Sequence, residues 1–262
     1  MGICAGLMVF IGFLFWLMMR AVPKAQFASY DAPETKEQEG ESGFFEGLKL
    51  LLTQRYLLGI FMIVSIYEII VTILDFHFKV TAKSMFVGEA AMSSYLSQYA
   101  AMVGLVSMLC VLFGINNIQR KLGMKASLIL LPILIGGAVL MVKLNPTGLA
   151  VAFWIMVFAK AVNYALNQPT LKQLYIPTTK ETKYKSQAWI EMFGSRASKA
   201  GGSGINTLRA TFTTKYGAMM GVNAFLTLST LLSGGFILIW LFAAFYISNA
   251  YNEAIEKNEV VC

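Results

Sequence analysis

Residues 219–247, MMGVNAFLTLSTLLSGGFILIWLFAAFYI, run for 29 positions without one charged side chain. About 20 such residues cross the hydrocarbon core of a bilayer as a helix. Six further runs, near 2–19, 56–76, 92–114, 124–142, 147–167 and 187–208, have comparable length. Hydrophobic residues make up 57% of the 262 and charged residues 13%, far below the charge of a soluble domain. Only closed hydrogen-bonding structures survive in lipid, and runs of this length select helices. The chain therefore reads as an all-α polytopic membrane protein with about seven transmembrane helices, and the lipid bilayer is its first partner.

The formal net charge of +7 does not mark a nucleic-acid binder, because basic loops of a membrane protein set topology. Cys4, Cys110 and Cys262 have no metal-ligand spacing, and His77 has no second ligand near it. No metal, no other cofactor and no catalytic residue is expected.

The runs divide the chain. Residues 1–19 read as the last helix of an N-terminal half. Residues 20–55 read as a cytoplasmic linker, polar over 20–43, followed by a surface helix, GFFEGLKLLLTQR. Residues 56–250 form a six-helix half and 251–262 a cytoplasmic tail. The side holding linker and tail carries thirteen Lys and Arg; the other carries Lys79, Lys83, Lys143, Arg209 and Lys215. This bias puts the C-terminus in the cytoplasm. The first span then starts outside, without the basic start of a signal peptide. The expectation is the C-terminal half of a twelve-helix, two-halved transporter, with the N-terminal half of the same polypeptide as its missing partner, in a bacterial inner (cytoplasmic) membrane.

Charges inside the spans point to function. YKSQAWIEMFGSRASKAGGSGI (184–205) carries Lys185, Glu191, Arg196 and Lys199. Each charge at mid-membrane costs about 2.5–3.5 kcal/mol, so four facing lipid are untenable. At 100° per residue Lys185, Arg196 and Lys199 fall within about 60° of one another, and Ser203 and Asn206 extend that side. The small residues from Gly194 to Gly204 allow close helix packing. In the second span Glu68, Thr72, Asp75 and Lys79 step along one face, with Lys83 a turn later; Asp75 and Lys79 can pair at i,i+4. In the fifth, Lys160, Asn163, Tyr164 and Asn167 share a face, and Pro169 is expected to end or kink the helix. The bland readings are a packed helix, snorkelling end lysines and an interfacial tyrosine. Together, however, cations outnumber acids on the inward set, which suits an anionic solute with several phosphates, with the amides and Tyr164 free to meet a base or sugar.

The segment NQPTLKQLYIPTTKETKYKSQAWIEMFGSRASKAGGS (167–203) closely resembles the signature region of the ATP:ADP antiporter family of obligate intracellular bacteria and plastids. It has the pattern P-x5-YIP-x4-TK-x-K, then A-x-I-acid and a small-residue helix. DFHFKVTAKSMF (75–86) also fits, with an acid followed by Lys four and eight residues on. The resemblance spans about residues 50–247, the C-terminal half of the usual protein. It implies a major-facilitator-like helical bundle, ATP and ADP as transported substrates, and exchange of one for the other. It carries transport-critical charges onto Asp75, where many members have Glu, and Lys185. Many members have a further Lys where this chain has Gln187, which bears on substrate range and exchange mode.

Three competing readings have distinct signatures. Proton-coupled nucleotide import would use Glu68 or Asp75 as the titrating group. A membrane-embedded enzyme would need a clustered nucleophile or His/Asp set. A non-transporting relative would act as a binding subunit.

Overall fold

The computed structural model describes residues 44–112, 115–257 and 259–261, with isolated helical positions among 6–20. The expected span 2–19 and linker 20–43 lie otherwise outside the described residues. Residues 1–43 and 44–262 are separate units.

In the second unit every element is helical. In order they are α1 Phe44–Thr53, α2 Arg55–Met85, α3 Glu89–Leu112, α4 Ile115–Leu144, α5 Leu149–Val162, α6 Gln168–Gln173, α7 Lys180–Ala188, α8 Ser195–Tyr216 and α9 Ala218–Lys257. Wide π turns, Asn163–Asn167 and Trp189–Gly194, join α5 to α6 and α7 to α8. Gly123 breaks α4 with a φ of 80°. Among the described residues five stretches are long and apolar enough to cross a membrane: Arg55–Met85, Glu89–Leu112, Gly123–Leu144, Leu149–Gln173 and Ala218–Lys257. The protein is an integral multi-pass membrane protein.

The expected span 187–208 is helical but falls outside that set. Its charges and its Gly and Ser content dilute its apolar character, so it is held by neighbours instead. α8 packs along α2 on one side and α9 on the other. At 1.5 Å per residue, α2 is about 46 Å long and α9 about 60 Å, beyond the roughly 30 Å hydrocarbon core. Helix α9 therefore carries the chain into the tail region, up to Lys257. There the Val261 amide donates to the Pro177 carbonyl (2.8 Å).

The core is apolar and interdigitated. Leu57, Ile60, Ile63 and Ile70 of α2, Leu128, Leu131 and Ile135 of α4, and Trp240, Ala244 and Ile247 of α9 are buried together. A second aromatic knot ties α2, α3 and α5. The Phe78 ring lies 4.9 Å from Tyr99, and Tyr95 lies 5.6 Å from Phe153, the tilted contacts aromatic pairs favour. α1 docks rather than floats: Leu51 is buried, and a Cβ on Gly47 would stand 2.5 Å from the Trp189 ring.

Candidate functional site

Helix α2 organises the polar residues: its two acids, Glu68 and Asp75, meet cations of α5 and α8. Asp75 sits between two cations. Lys79 Nζ lies 2.6 Å from one carboxylate oxygen and Lys160 Nζ of α5 lies 3.1 Å from the other. The i,i+4 pair follows from helix geometry alone. The bridge to Lys160, 85 residues away, is tertiary. Lys160 also lies 5.2 Å from the centre of the Tyr99 ring, within cation–π reach.

Two turns earlier, about 10 Å along the helix, Glu68 meets α8. Ser195 Oγ donates to Glu68 Oε1 (3.0 Å), and Lys199 Nζ lies 3.6 Å from Oε2. The Lys199 side chain remains 57% exposed, so one face of the ammonium is open. Close approach of α2 and α8 makes these contacts possible. A Cβ on Gly202 would stand 2.9 Å from the Ile69 carbonyl oxygen, so only glycine fits there without a shift. Asn206, one turn on, donates from Nδ2 to the Thr72 carbonyl (3.3 Å). Gly201 and Gly204 face open space, so the small-residue stripe packs on one side only.

The two π turns change the angular reckoning from a regular helix. In the first, Asn167 Nδ2 donates to Asn163 Oδ1 (2.8 Å) and both amides are buried, while Tyr164 is exposed. The expected four-residue face of Lys160, Asn163, Tyr164 and Asn167 is thus split. Pro169 does not end the helix, which continues to Gln173. A proline lacks the amide its preceding turn would use, and the wide turn before it absorbs the mismatch. The second π turn lies between Lys185 and Arg196. Lys185 is in an i,i+4 pair with Glu181 on α7 (2.5 Å), a different partner from that of Lys199. Arg196 is exposed beside Ser195. Lys83 is exposed near the end of α2, lining a groove with Phe86, Glu89 and Ser93, and Glu191 accepts from Gln187 Nε2 (2.7 Å).

A cavity of about 210 Å³ of mixed lining opens beside Glu68, with Gln168, Lys172, Tyr175, Glu191 and Ser195 among its polar residues. Burial, and then the Glu191 carboxylate, pushes the Tyr175 phenol above its ordinary range, so it stays a hydrogen-bond donor. Gln168, Lys172 and Tyr175 fall in a stretch that reads as a loop from sequence; α6 makes Gln168 and Lys172 helical, and Tyr175 follows in the turn beyond it.

A family model described as TLC ATP/ADP transporter matches residues 1–251. The chain is 26% identical over 252 residues to ADP,ATP carrier protein 1 of Rickettsia typhi, covering 88% of this chain and 50% of the relative. It is 24% identical over 279 residues to the chloroplastic ADP,ATP carrier protein 2 of Arabidopsis thaliana, covering 99% and 43%. With ADP,ATP carrier protein 1 of Chlamydia trachomatis the figures are 25% over 265 residues, 94% and 49%. The chain spans about half the length of the curated relatives it matches. No solved structure matches it significantly. A match over nearly the whole sequence, on a chain whose membrane helices carry paired charges along one stripe, establishes that it belongs to the TLC ATP/ADP transporter family.

Proposed function

We propose that this chain forms the cation-rich half of a nucleotide path and takes part in exchanging ATP for ADP across a membrane. One observation carries the reading. Along α2, α5 and α8 the cations, among them Lys79, Lys160, Arg196 and Lys199, outnumber the two acids, Asp75 and Glu68. The pairing tempers the cost of holding charge in a membrane protein. The surplus, on side chains that stay partly exposed, suits a polyphosphate. The relatives' names, ADP,ATP carrier proteins, supply ATP and ADP as the substrates; transport rather than catalysis is the activity proposed. The opposite wall belongs to a second helical half, which the relatives' greater length supports. The bacterial inner membrane, with the C-terminus cytoplasmic, is the setting the charge bias favours.

The 262-residue chain in lipid nanodiscs should bind labelled ATP, with displacement by ATP and ADP, less by AMP and least by adenosine. Lys199→Gln should weaken ATP by about ten- to a hundredfold, the loss of one charge-assisted bond of about 1.5–3 kcal/mol. Arg196→Lys should also lose affinity, since the bidentate fork is gone though the charge stays. Equal loss for adenosine and ATP on neutralising Lys199 would assign it to packing. Absence of ATP binding at millimolar concentration would overturn the reading. Uptake that follows a proton gradient and fails in Glu68→Gln would replace exchange with proton-coupled import.

A further inference from the structure

Beyond the Glu68 level, an open groove of about 570 Å³ runs along α2 and α8, lined by Phe76, Val80, Asn206, Arg209 and Ala210 and by the hydroxyl residues Ser203, Thr207 and Thr213. Two polar atoms here are buried and unpartnered: Asn206 Oδ1 and one terminal guanidinium nitrogen of Arg209. Asn206 is only 6% exposed. Its amide orientation is fixed, because Nδ2 donates to the Thr72 carbonyl and a flip would set two oxygens against each other. An acceptor and a cationic donor therefore stand unmet three residues apart on one helix. Buried polar atoms are rarely left so, and each calls for a ligand or a bound water.

The wall between them is apolar and aromatic. The Arg209 guanidinium carbon lies 5.9 Å from the centre of the Phe76 ring, and Val80 and Ala210 add further apolar surface. This combination of a largely apolar wall and few convergent polar groups is that of a small-molecule pocket. Phosphate alone is a poor occupant: its oxygens satisfy Arg209 but repel the Asn206 oxygen. A nitrogenous base answers both, because each common base carries a hydrogen-bond donor beside an acceptor on one edge, and a flat ring for the Phe76 face. Lys199, Ser203 and Asn206 step along α8 at helical spacing, so the cavity continues the stripe whose cations face the phosphates.

We infer that the Phe76–Asn206–Arg209 cavity holds the base of the nucleotide, with Asn206 Oδ1 accepting from the base and Arg209 donating to it. The inference rests on the nucleotide reading above and assigns a second, separate part of the same ligand. ATP and inorganic tripolyphosphate are the probes, each measured for binding to the 262-residue chain in nanodiscs. Arg209→Gln should cost ATP about tenfold, one charge-assisted bond, while tripolyphosphate holds within about twofold. Ala210→Phe fills the cavity from an exposed position on its wall while keeping Asn206 and Arg209 themselves. It should give the same split, with thermal unfolding unchanged. ATP binding that survives both substitutions overturns the base site and leaves the nucleotide reading standing. Equal losses for ATP and tripolyphosphate make this a phosphate site and overturn it as well. Failure of the unsubstituted chain to bind ATP overturns both.

Discussion

Asp75 holds two ammonium groups that arrive from different directions, and removing its charge frees both. The Asp75 side chain is 19% exposed and that of Lys160 27%, so water offsets part of the cost. Asp75→Asn should lower stability by about 2 kcal/mol, less than a fully buried pair would lose, read as a lower melting temperature in detergent. Lys160→Met on that background removes the stranded cation and should restore part of the melting temperature. ATP binding should stay impaired in the double variant. Restored binding would make the Asp75–Lys160 bridge a purely structural pair. The Asp75–Lys79 contact was legible in the sequence, because i,i+4 spacing on a helix dictates it. The Lys160 bridge was not, since nothing local tells which of several helices faces Asp75. Nor was Ser195 legible as the hydroxyl that donates to Glu68. The Arg209 and Asn206 atoms left unmet emerge only once α2 and α8 are side by side.

At the level of elements, apolar run length located the long helices, and their ends differ for physical reasons. Helix α2 continues past the apolar run through Lys79 and Lys83 because nothing in that stretch breaks a helix before Phe86. The π turns escaped because a projection at 100° per residue presumes one regular helix across 153–169 and 184–205. Each π turn admits one residue more per turn and rotates everything beyond it. Within the first of them Asn163 and Asn167 turn inward and bond to each other, while Tyr164 faces out. The small-residue stripe allows a paired test. Gly202→Ala forces a methyl against the Ile69 carbonyl and the Thr72 side chain and should cost about 1–3 kcal/mol of overpacking. Gly201→Ala meets nothing within 4 Å and should leave the melting temperature unchanged or slightly higher, as a helix gains from alanine. Equal effects at the two positions would mean that α2 and α8 do not approach as described.

For the whole molecule, the polar stripe of α2, α5 and α8 needs an opposing wall before a solute can be passed from one side to the other. In proteoliposomes the 262-residue chain should bind nucleotide yet show no ATP/ADP exchange above empty vesicles; robust exchange would remove the need for a second half. The charged stripe also constrains how the protein is made. Helix α8 carries Arg196, Lys199 and Arg209, each at about 2.5–3.5 kcal/mol if it met lipid at mid-depth, and it falls outside the set apolar enough to cross alone. Yet it lies between α2, which supplies Glu68, and α9, which is long and apolar. The expectation is that during synthesis α8 waits at the translocation channel until α9 emerges, then partitions into the bilayer packed on α2 and α9. A chain truncated after Tyr216 and bearing a glycosylation acceptor there should be poorly modified at that acceptor in microsomes. Extension through Lys257 should restore modification, and Glu68→Leu should weaken that rescue.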